Sequence, residues 1–289
     1  MFECIFAVSC WLKLIVLAVV VLGIRKYLVN KRKKALHKKD WQKDTVYLYE
    51  FVRAPAIPNI SPFCLKLETW LRFAGVKYEP QFSNVKRSKE GTLPFAELNG
   101  EQLCDSSFII DALTAHFHRD QLEKDLNEQE KAQCRLIEQI TEGSLFQSQV
   151  YFRFVQHTDQ FFTKRVTGMN LPAPLVVLAK WYMKGEMRKR LAGGVAGIGR
   201  HKPDEIAEIA RKDLKALSVT LGDKKYFMGE KPHRVDMTVF GHLAQIIYLP
   251  IYTPHLKFIQ QSCPNLKEFC DRIKEKYWPD WDELFDKSD

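Results

Sequence analysis

Residues 61–72, which read SPFCLKLETWLR, combine a hydroxyl and a thiol at the start of an amphipathic helix. Ser61 is a favourable N-cap, Pro62 suits the first helical position, and apolar residues follow at helical spacing. A dithiol redox site would need an attacking sulfur at position 61, so the serine excludes thiol–disulfide exchange through Cys64. We expect Cys64, one turn into the helix on its inward side, to be a buried structural cysteine.

A β-α-β-β-β-α order of elements surrounds this stretch. The segment DTVYLYEF over 44–51 is rich in β-branched and aromatic residues and predicts a strand. Pro55 and Pro58 end that strand, the helix at Ser61 follows, and Gly75 stops the helix. Three more strands are predicted in VKYEPQFS, LPFAEL and GEQL, and DSSFIIDALTAHF predicts a second helix. We expect a thioredoxin-like α+β domain over residues 44–122.

The chain after residue 122 has a different pattern of apolar and polar residues. Few strand signals remain, and helical periodicity predicts five long helices over 128–165, 174–191, 203–221, 235–248 and 264–277. Gly222 follows the third of these helices, as a residue just beyond a helix C-terminus often does. We expect an all-helical domain over residues 123–289.

The N-terminal segment predicts a membrane anchor. Residues 5–24 form an apolar run in which Lys13 is the only charge, and such a helix would span about 30 Å, the thickness of a bilayer core. The run lacks the basic start and the small-residue exit of a cleaved signal peptide. We therefore expect a transmembrane helix over residues 1–25, a basic linker over 26–43, and a folded part that faces the cytosol.

The net charge of +9 is concentrated in that linker. Residues 25–43 contain nine lysines and arginines against Asp40 alone, so the folded part is close to neutral. A near-neutral domain lacks the basic face that binds a phosphate backbone, which excludes nucleic acid as a partner. The linker can instead attract anionic lipid. The seven cysteines show neither a disulfide framework nor metal-ligand spacing, and they suit a reducing compartment.

Four segments resemble the glutathione transferases. SPFCLKLETWLR resembles the segment that carries their catalytic Ser or Cys at a helix N-terminus, and TLPF resembles the step whose proline is cis. LCDSSFIIDAL resembles the segment that holds the γ-glutamyl group, and YFMGEKPHRVDMTVFGHL resembles a late motif that starts a buried helix. The resemblance covers nearly all of residues 44–280 and implies the same two-domain fold.

A narrower family is more similar still. GIGRH, FGHLAQI, CPNL and KYWPDWDE resemble the failed-axon-connections group, which is related to the metaxins. SPFCLKLETWLR and LPFAELNGE are similar to its nematode branch, the cadmium-responsive proteins, several members of which also carry an N-terminal apolar segment. This resemblance implies a role in cadmium or other metal stress through regulated expression, without a metal site.

The resemblance to glutathione transferases implies a glutathione site. Ser61 would be the catalytic residue that activates the thiol, because a hydroxyl donor and the positive end of a helix both stabilise a thiolate. Leu93, before Pro94, would pair its backbone with the cysteinyl part, while Asp105 and Ser106 would hold the γ-glutamyl part. Glutathione would be a co-substrate. The structural alternative is that Ser61, Asp105 and Ser106 only cap their helices.

Two expectations concern the space around that site. An electrophile pocket would lie between the two domains and be lined by Phe146, Tyr151, Phe154 and Trp181, although such a stripe is also typical of plain core. The loop RAPAIPNI over 53–60 is longer and richer in proline than the usual transferase turn. It could cover the glutathione site, which would argue against turnover.

Two classes of function remain open at this point. The first is a membrane-tethered glutathione transferase or glutathione-binding protein that acts on small electrophiles in detoxification. The second is a non-catalytic interaction module like the metaxins, whose transferase-like bodies serve protein import and membrane organisation. Homodimerisation is open as well, because related folds pair through different surfaces.

Overall fold

The computed structural model describes residues 36–170, 172–193 and 197–284. The predicted anchor over 1–25 and most of the predicted linker lie outside these residues. Among the described residues, no helix combines the length and the apolar character that crossing a bilayer requires.

A four-stranded sheet forms the core of the first domain. Its order is β2-β1-β3-β4, with β1 parallel to β2 and antiparallel to β3, and β3 antiparallel to β4. The strands are β1 Val46–Glu50, β2 Tyr78–Phe82, β3 Phe95–Leu98 and β4 Glu101–Cys104. Every residue of β1 is buried, as expected for a central strand, while Pro80 is tolerated because β2 lies at the edge.

The two predicted helices of this domain pack on one face of the sheet. They are α1, Pro62–Ala74, and α2, Ser106–His116, and both contribute to the main core with Val46 and Leu48. Gly75 ends α1 with φ of 62°, a left-handed conformation that glycine adopts without strain. The thioredoxin-like order predicted from the sequence is confirmed.

The opposite face of the sheet carries an aromatic cluster and part of the linker. Tyr49 stacks on Phe95 with ring centroids 4.4 Å apart. The amides of His37 and Lys38 donate to the two carboxylate oxygens of Glu97 at 2.8 and 2.9 Å. Glu97 is almost fully buried in β3, so the end of the linker is attached to the sheet.

The second domain is helical, as predicted, but its first helix differs from the prediction. Helical structure from residue 128 ends at Gln156 rather than at 165, because π-helical turns interrupt it and His157 leaves the helix with φ of −111°. Its parts are α3 Glu128–Gln139, a π turn Ile140–Leu145, α4 Phe146–Tyr151 and a π turn Phe152–Gln156. The remaining helices are α5 Thr158–Phe161, α6 Lys164–Thr167, α7 Ala173–Ala192, α8 Pro203–Leu221, α9 Arg234–Ile247, α10 Pro254–Ser262 and α11 Pro264–Tyr277.

Helix α9 joins the two domains by packing across α1. It is buried over almost its whole length and is accordingly apolar on most of its surface. Gly241 makes the closest approach, since a Cβ at this position would lie 2.7 Å from the carbonyl oxygen of Pro62. The missing side chain of Gly241 therefore sets the distance between α9 and the first turn of α1.

Candidate functional site

A cavity of about 350 Å³ lies between the two domains at the N-terminus of α1. The first domain contributes Ser61 and Phe63 to its wall, and the helical domain contributes rings and thioethers such as Phe146 and Met169. The few polar residues at the wall are Ser61, Asn84, Gln149 and Arg153. An apolar hollow with few polar groups is the usual form of a small-molecule site.

Ser61 has the backbone and the hydrogen bonds of an N-cap. Its φ and ψ are −97° and 124°, and its Oγ accepts from the amide of Cys64 at 3.4 Å. Its own amide donates to Oδ1 of Asn59 at 3.0 Å. The capping bond uses an acceptor lone pair, so the hydroxyl proton can still be donated to a ligand in the cavity.

The other predicted glutathione-binding residues do not line this cavity. The Leu93–Pro94 peptide bond is cis, and Leu93 packs beside the aromatic cluster of the sheet. Asp105 caps α2, and its Oδ1 accepts from the amides of Ser107 at 2.9 Å and Phe108 at 3.3 Å. Ser106 is buried directly after it. The structure thus brings Ser61 to the cavity and leaves Leu93, Pro94, Asp105 and Ser106 outside its wall.

Cys64 lies inside the protein. Its side chain has no exposed surface, and burial raises the pKa of its thiol well above the ordinary value. A thiol of this kind remains protonated and is a poor nucleophile. The sequence-based interpretation of Cys64 as a structural cysteine is confirmed.

Of the four residues predicted to line an electrophile pocket, two lie at the wall of this cavity. Phe146 and Phe154 line the cavity. Tyr151 is buried instead in a separate cluster with Ile206, because it points away from the cavity within α4. Trp181 is 74% exposed, because it lies on the outer face of α7. Helical periodicity placed these residues on helices without showing which face meets the first domain.

The loop over 53–60 reaches the cavity at its last residue. Ile57 is fully buried, and Ile60 lines the cavity. The carbonyl of Asn59 accepts from Nε2 of Gln245 at 2.9 Å, and that of Ile60 accepts from Arg153 at 2.9 Å. The loop is therefore attached to the helical domain, and a hollow remains beside Ser61.

A buried charge network holds the base of this loop. Arg53 makes a bidentate pair with Glu68 at 2.6 Å for both bonds, and Arg72 makes one with Asp280 at 2.6 and 2.9 Å. Glu50 lies beside Arg53 at 3.6 Å, and burial raises the pKa of its carboxyl well above the ordinary value. The sequence reasoning missed this network, because it depends on the packing of the 53–60 loop against α1 and on Asp280, which lies 208 residues after Arg72.

Lys66 is a second feature that the sequence reasoning missed. It is fully buried, and its Nζ lies 2.7 Å from Oε1 of Glu142 and 2.8 Å from Oγ of Ser107. These contacts join α1, the first turn of α2 and the π turn of the helical domain. A signal did exist, since Lys66 follows Phe63 by three residues and must share its inward face.

Arg153 is a buried cation at the cavity wall. Its side chain donates to the carbonyl of Ile60 at 2.9 Å and to Oε1 of Gln245 at 3.2 Å. Burial lowers its pKa to about 10. Two buried histidines, His242 and His255, have pKa values lowered by burial to about 3 and are neutral near pH 7.

Comparisons with known proteins agree with this architecture. The family model of the glutathione S-transferase N-terminal domain matches residues 62–160, and that of the glutathione S-transferase C-terminal domain matches residues 210–273. Among solved structures, a beta-etherase from a Sphingobium strain aligns with a TM-score of 0.54 at 15% identity, covering 84% of this chain and 99% of its own. At this low identity, the similarity shows that the two chains share a fold.

Three relatives are similar in sequence. Failed axon connections of Drosophila melanogaster is 35% identical over 88% of this chain, and the chain spans 63% of the length of that relative. Isoprene-epoxide–glutathione S-transferase of a Rhodococcus strain is 28% identical over 80% of this chain and 99% of its own length. Metaxin-2 of Mus musculus is 26% identical over 67% of this chain and 73% of its own length. The chain belongs to the glutathione S-transferase-like, metaxin-related family that includes Failed axon connections.

Proposed function

We propose that this protein is a membrane-anchored glutathione-binding protein in which Ser61 activates the thiol. The observation that carries the proposal is the position of Ser61, whose hydroxyl lies at the N-terminus of α1 and at the wall of an apolar cavity. A thiolate at this point would receive a hydrogen bond from the hydroxyl and would meet the positive end of the helix dipole. Both effects stabilise the charged sulfur.

The remaining contacts follow the family pattern. The backbone of Leu93, before Pro94, would pair with the cysteinyl unit of glutathione. Asp105 would take the ammonium of the γ-glutamyl unit, and Ser106 would take its carboxylate. A small electrophile would pack against Phe146 and Phe154, next to the sulfur. A relative named for the transfer of glutathione to isoprene epoxide supports an electrophile of this kind.

The membrane and stress parts of the proposal rest on the sequence. Residues 1–25 would anchor the protein by a single helix, with the folded part in the cytosol. Detoxification or a response to cadmium would be its setting, as in the cadmium-responsive proteins that it resembles. Deletion of residues 1–24 should release the protein from membranes in carbonate extraction. Extraction of the intact chain by carbonate would contradict the anchor.

Glutathione titration of the full-length chain tests the central claim. We expect binding heat, with a weaker affinity in Ser61→Gly, which removes one hydrogen bond, and no detectable heat in Asp105→Ala. Glycine at an N-cap costs only a few tenths of a kcal/mol relative to serine, so Ser61→Gly separates the loss of the hydroxyl from the loss of the cap. Ser262→Ala, which removes an exposed hydroxyl at the end of α10, is the control that should bind normally.

A second measurement reports on thiol activation. The ultraviolet absorbance of the thiolate, followed against pH, should give a lower pKa for bound than for free glutathione. Ser61→Gly should raise the bound value, because it removes one hydrogen bond to the sulfur. Binding without any change in the thiol pKa would contradict the role of Ser61.

A non-catalytic interaction module is the second candidate. A specific observation favours it: α7 exposes an apolar surface, with Leu178 58%, Trp181 74% and Tyr182 62% exposed. Such a surface is typical of interaction sites. The absence of any heat at millimolar glutathione would favour this candidate over the first.

A further inference from the structure

We propose that the cavity beside Ser61 binds a small amphipathic acid, with its apolar body against the aromatic wall and its carboxylate at Arg153. The inference deepens the proposed function by naming the chemical class of the second ligand. It rests on that function only in treating this cavity as the second-ligand site.

Arg153 is the polar group that would bind the carboxylate of the ligand. Its side chain is more than nine-tenths buried, and it lines the cavity from the π turn Phe152–Gln156. The centre of its guanidinium lies 5.9 Å from the ring centroids of both Phe154 and Phe161. Because these two rings also line the cavity, the charge sits among its wall residues.

The charge of Arg153 has no acidic partner among the described residues. Its hydrogen bonds go to neutral oxygens, on the backbone of Ile60 and on the backbone and side chain of Gln245. Among the described residues, three other cations of low exposure do have acidic partners, in Arg53–Glu68 at 2.6 Å, Lys66–Glu142 at 2.7 Å and Arg72–Asp280 at 2.6 Å. Burying a cation without a counterion costs free energy. A ligand carboxylate that pairs with Arg153 would offset this cost and therefore bind favourably.

The two histidines near Arg153 add no further positive charge near pH 7. Burial lowers the pKa of His242 and of His255, and the charge of Arg153 lowers both values further. Both imidazoles are therefore neutral near pH 7. The guanidinium presents five N–H donors in a planar fork that matches the geometry of a carboxylate. Only part of this donor set is used by the three protein oxygens.

The size and the wall of the cavity define the rest of the ligand. A volume of about 350 Å³ accommodates a body on the order of ten non-hydrogen atoms, since one water occupies about 30 Å³ of liquid. Phe63, Phe146 and Met169 form an apolar wall for that body. A medium-chain or aryl carboxylic acid has this combination of size and charge. Because Ser61 lies on the same wall, the apolar body of the acid would lie beside the sulfur of glutathione.

Titration of the full-length chain with decanoate and with decanol tests the inference without glutathione. The two ligands share the alkyl body and differ in the charged group. We expect decanoate to bind at least about 10-fold more tightly, the usual size of a hydrogen bond to a charged group. Equal affinity for the two ligands, or no binding of decanoate, would overturn the proposal.

Variants then assign the preference to Arg153. Arg153→Met keeps the volume and removes the charge, so the preference for decanoate should disappear while decanol still binds. Arg153→Lys keeps the charge and should retain part of the preference, which decides the question if the methionine variant does not fold. Arg165→Gln removes an exposed arginine in α6 and should change nothing. A preference that persists in Arg153→Met would refute the assignment.

The outcome is separable from that of the proposed function. Glutathione binding is measured alone, and decanoate binding is measured alone. Binding of decanoate without any glutathione binding would refute the proposed function and leave the acid site intact. The reverse result would refute the acid site alone.

Discussion

Replacement of Gly241 by alanine should destabilise this protein, although glycine-to-alanine changes within helices normally stabilise. Gly241 lies in the interior of α9, where alanine is favoured over glycine by about 1 kcal/mol on propensity alone. A Cβ here would lie 2.7 Å from the carbonyl oxygen of Pro62 and 2.9 Å from the amide nitrogen of Lys66. Both are backbone atoms of α1, so no side-chain rotation can relieve the contact.

The magnitude follows from these two opposing effects. Overpacking a close helix contact costs about 3 kcal/mol at the upper end of its usual range, and the propensity gain returns about 1 kcal/mol. We expect a net loss of about 2 kcal/mol in the free energy of unfolding. The displacement of α1 should also weaken ligand binding in the cavity, because Ser61 is the N-cap of that helix.

Urea unfolding, followed by tryptophan fluorescence, measures the effect, and Gly185→Ala is the matched control. Gly185 is exposed in α7, and a Cβ there would meet nothing within 4 Å. The control should therefore gain up to about 1 kcal/mol. The reasoning about the α1–α9 contact fails if Gly241→Ala is as stable as the unmodified protein while the control behaves as expected.

Three further predictions concern buried groups. Glu142→Gln should cost about 3 kcal/mol or more in urea unfolding because it leaves the ammonium of Lys66 buried without its carboxylate, and adding Lys66→Met should recover much of this loss. Burial raises the pKa of Asp236 from 3.8 to about 7, so its contribution to stability is fully present below pH about 4 and is lost as the pH rises to about 7. The free energy of unfolding of the unmodified protein minus that of Asp236→Asn should fall by about 4 kcal/mol over this range, and a flat difference would contradict the burial of this charge. Cys64 should resist maleimide in the folded protein and react after denaturation, as mass spectrometry of its peptide would show.

The sequence predicted most of the first domain because its signals there are local. Ser61, Pro62 and Gly75 define α1 within one short stretch, and the structure begins and ends the helix beside them. In the helical domain, the predicted helix over 174–191 agrees with α7 to one residue at each end. Caps and periodicity act over a few residues, so they can be recognised without knowledge of the tertiary structure.

The sequence could not predict features that depend on distant contacts. The π turns that break the helix after Gln139 carry no local signal. Helix α10 was missed, although Thr253 caps it by accepting from the amide of Leu256 at 3.3 Å. Arg153 gave no indication of burial, because its partners Ile60 and Gln245 are more than ninety residues away in the chain. The sequence singled out Ser61, which lies at the cavity wall, and it gave no sign of Arg153 on the same wall.

The attachment of His37 and Lys38 to Glu97 has a mechanical consequence. The two amides hold one carboxylate that is itself fixed inside the sheet, where it also accepts from the hydroxyl of Tyr49 at 3.1 Å. Tension applied to the chain before residue 37 would therefore act first on β3, through the two hydrogen bonds to Glu97. It would reach β1 only after these bonds had broken. We therefore expect the first domain to resist unfolding when force is applied to its N-terminal end, as would suit a domain tethered to a membrane.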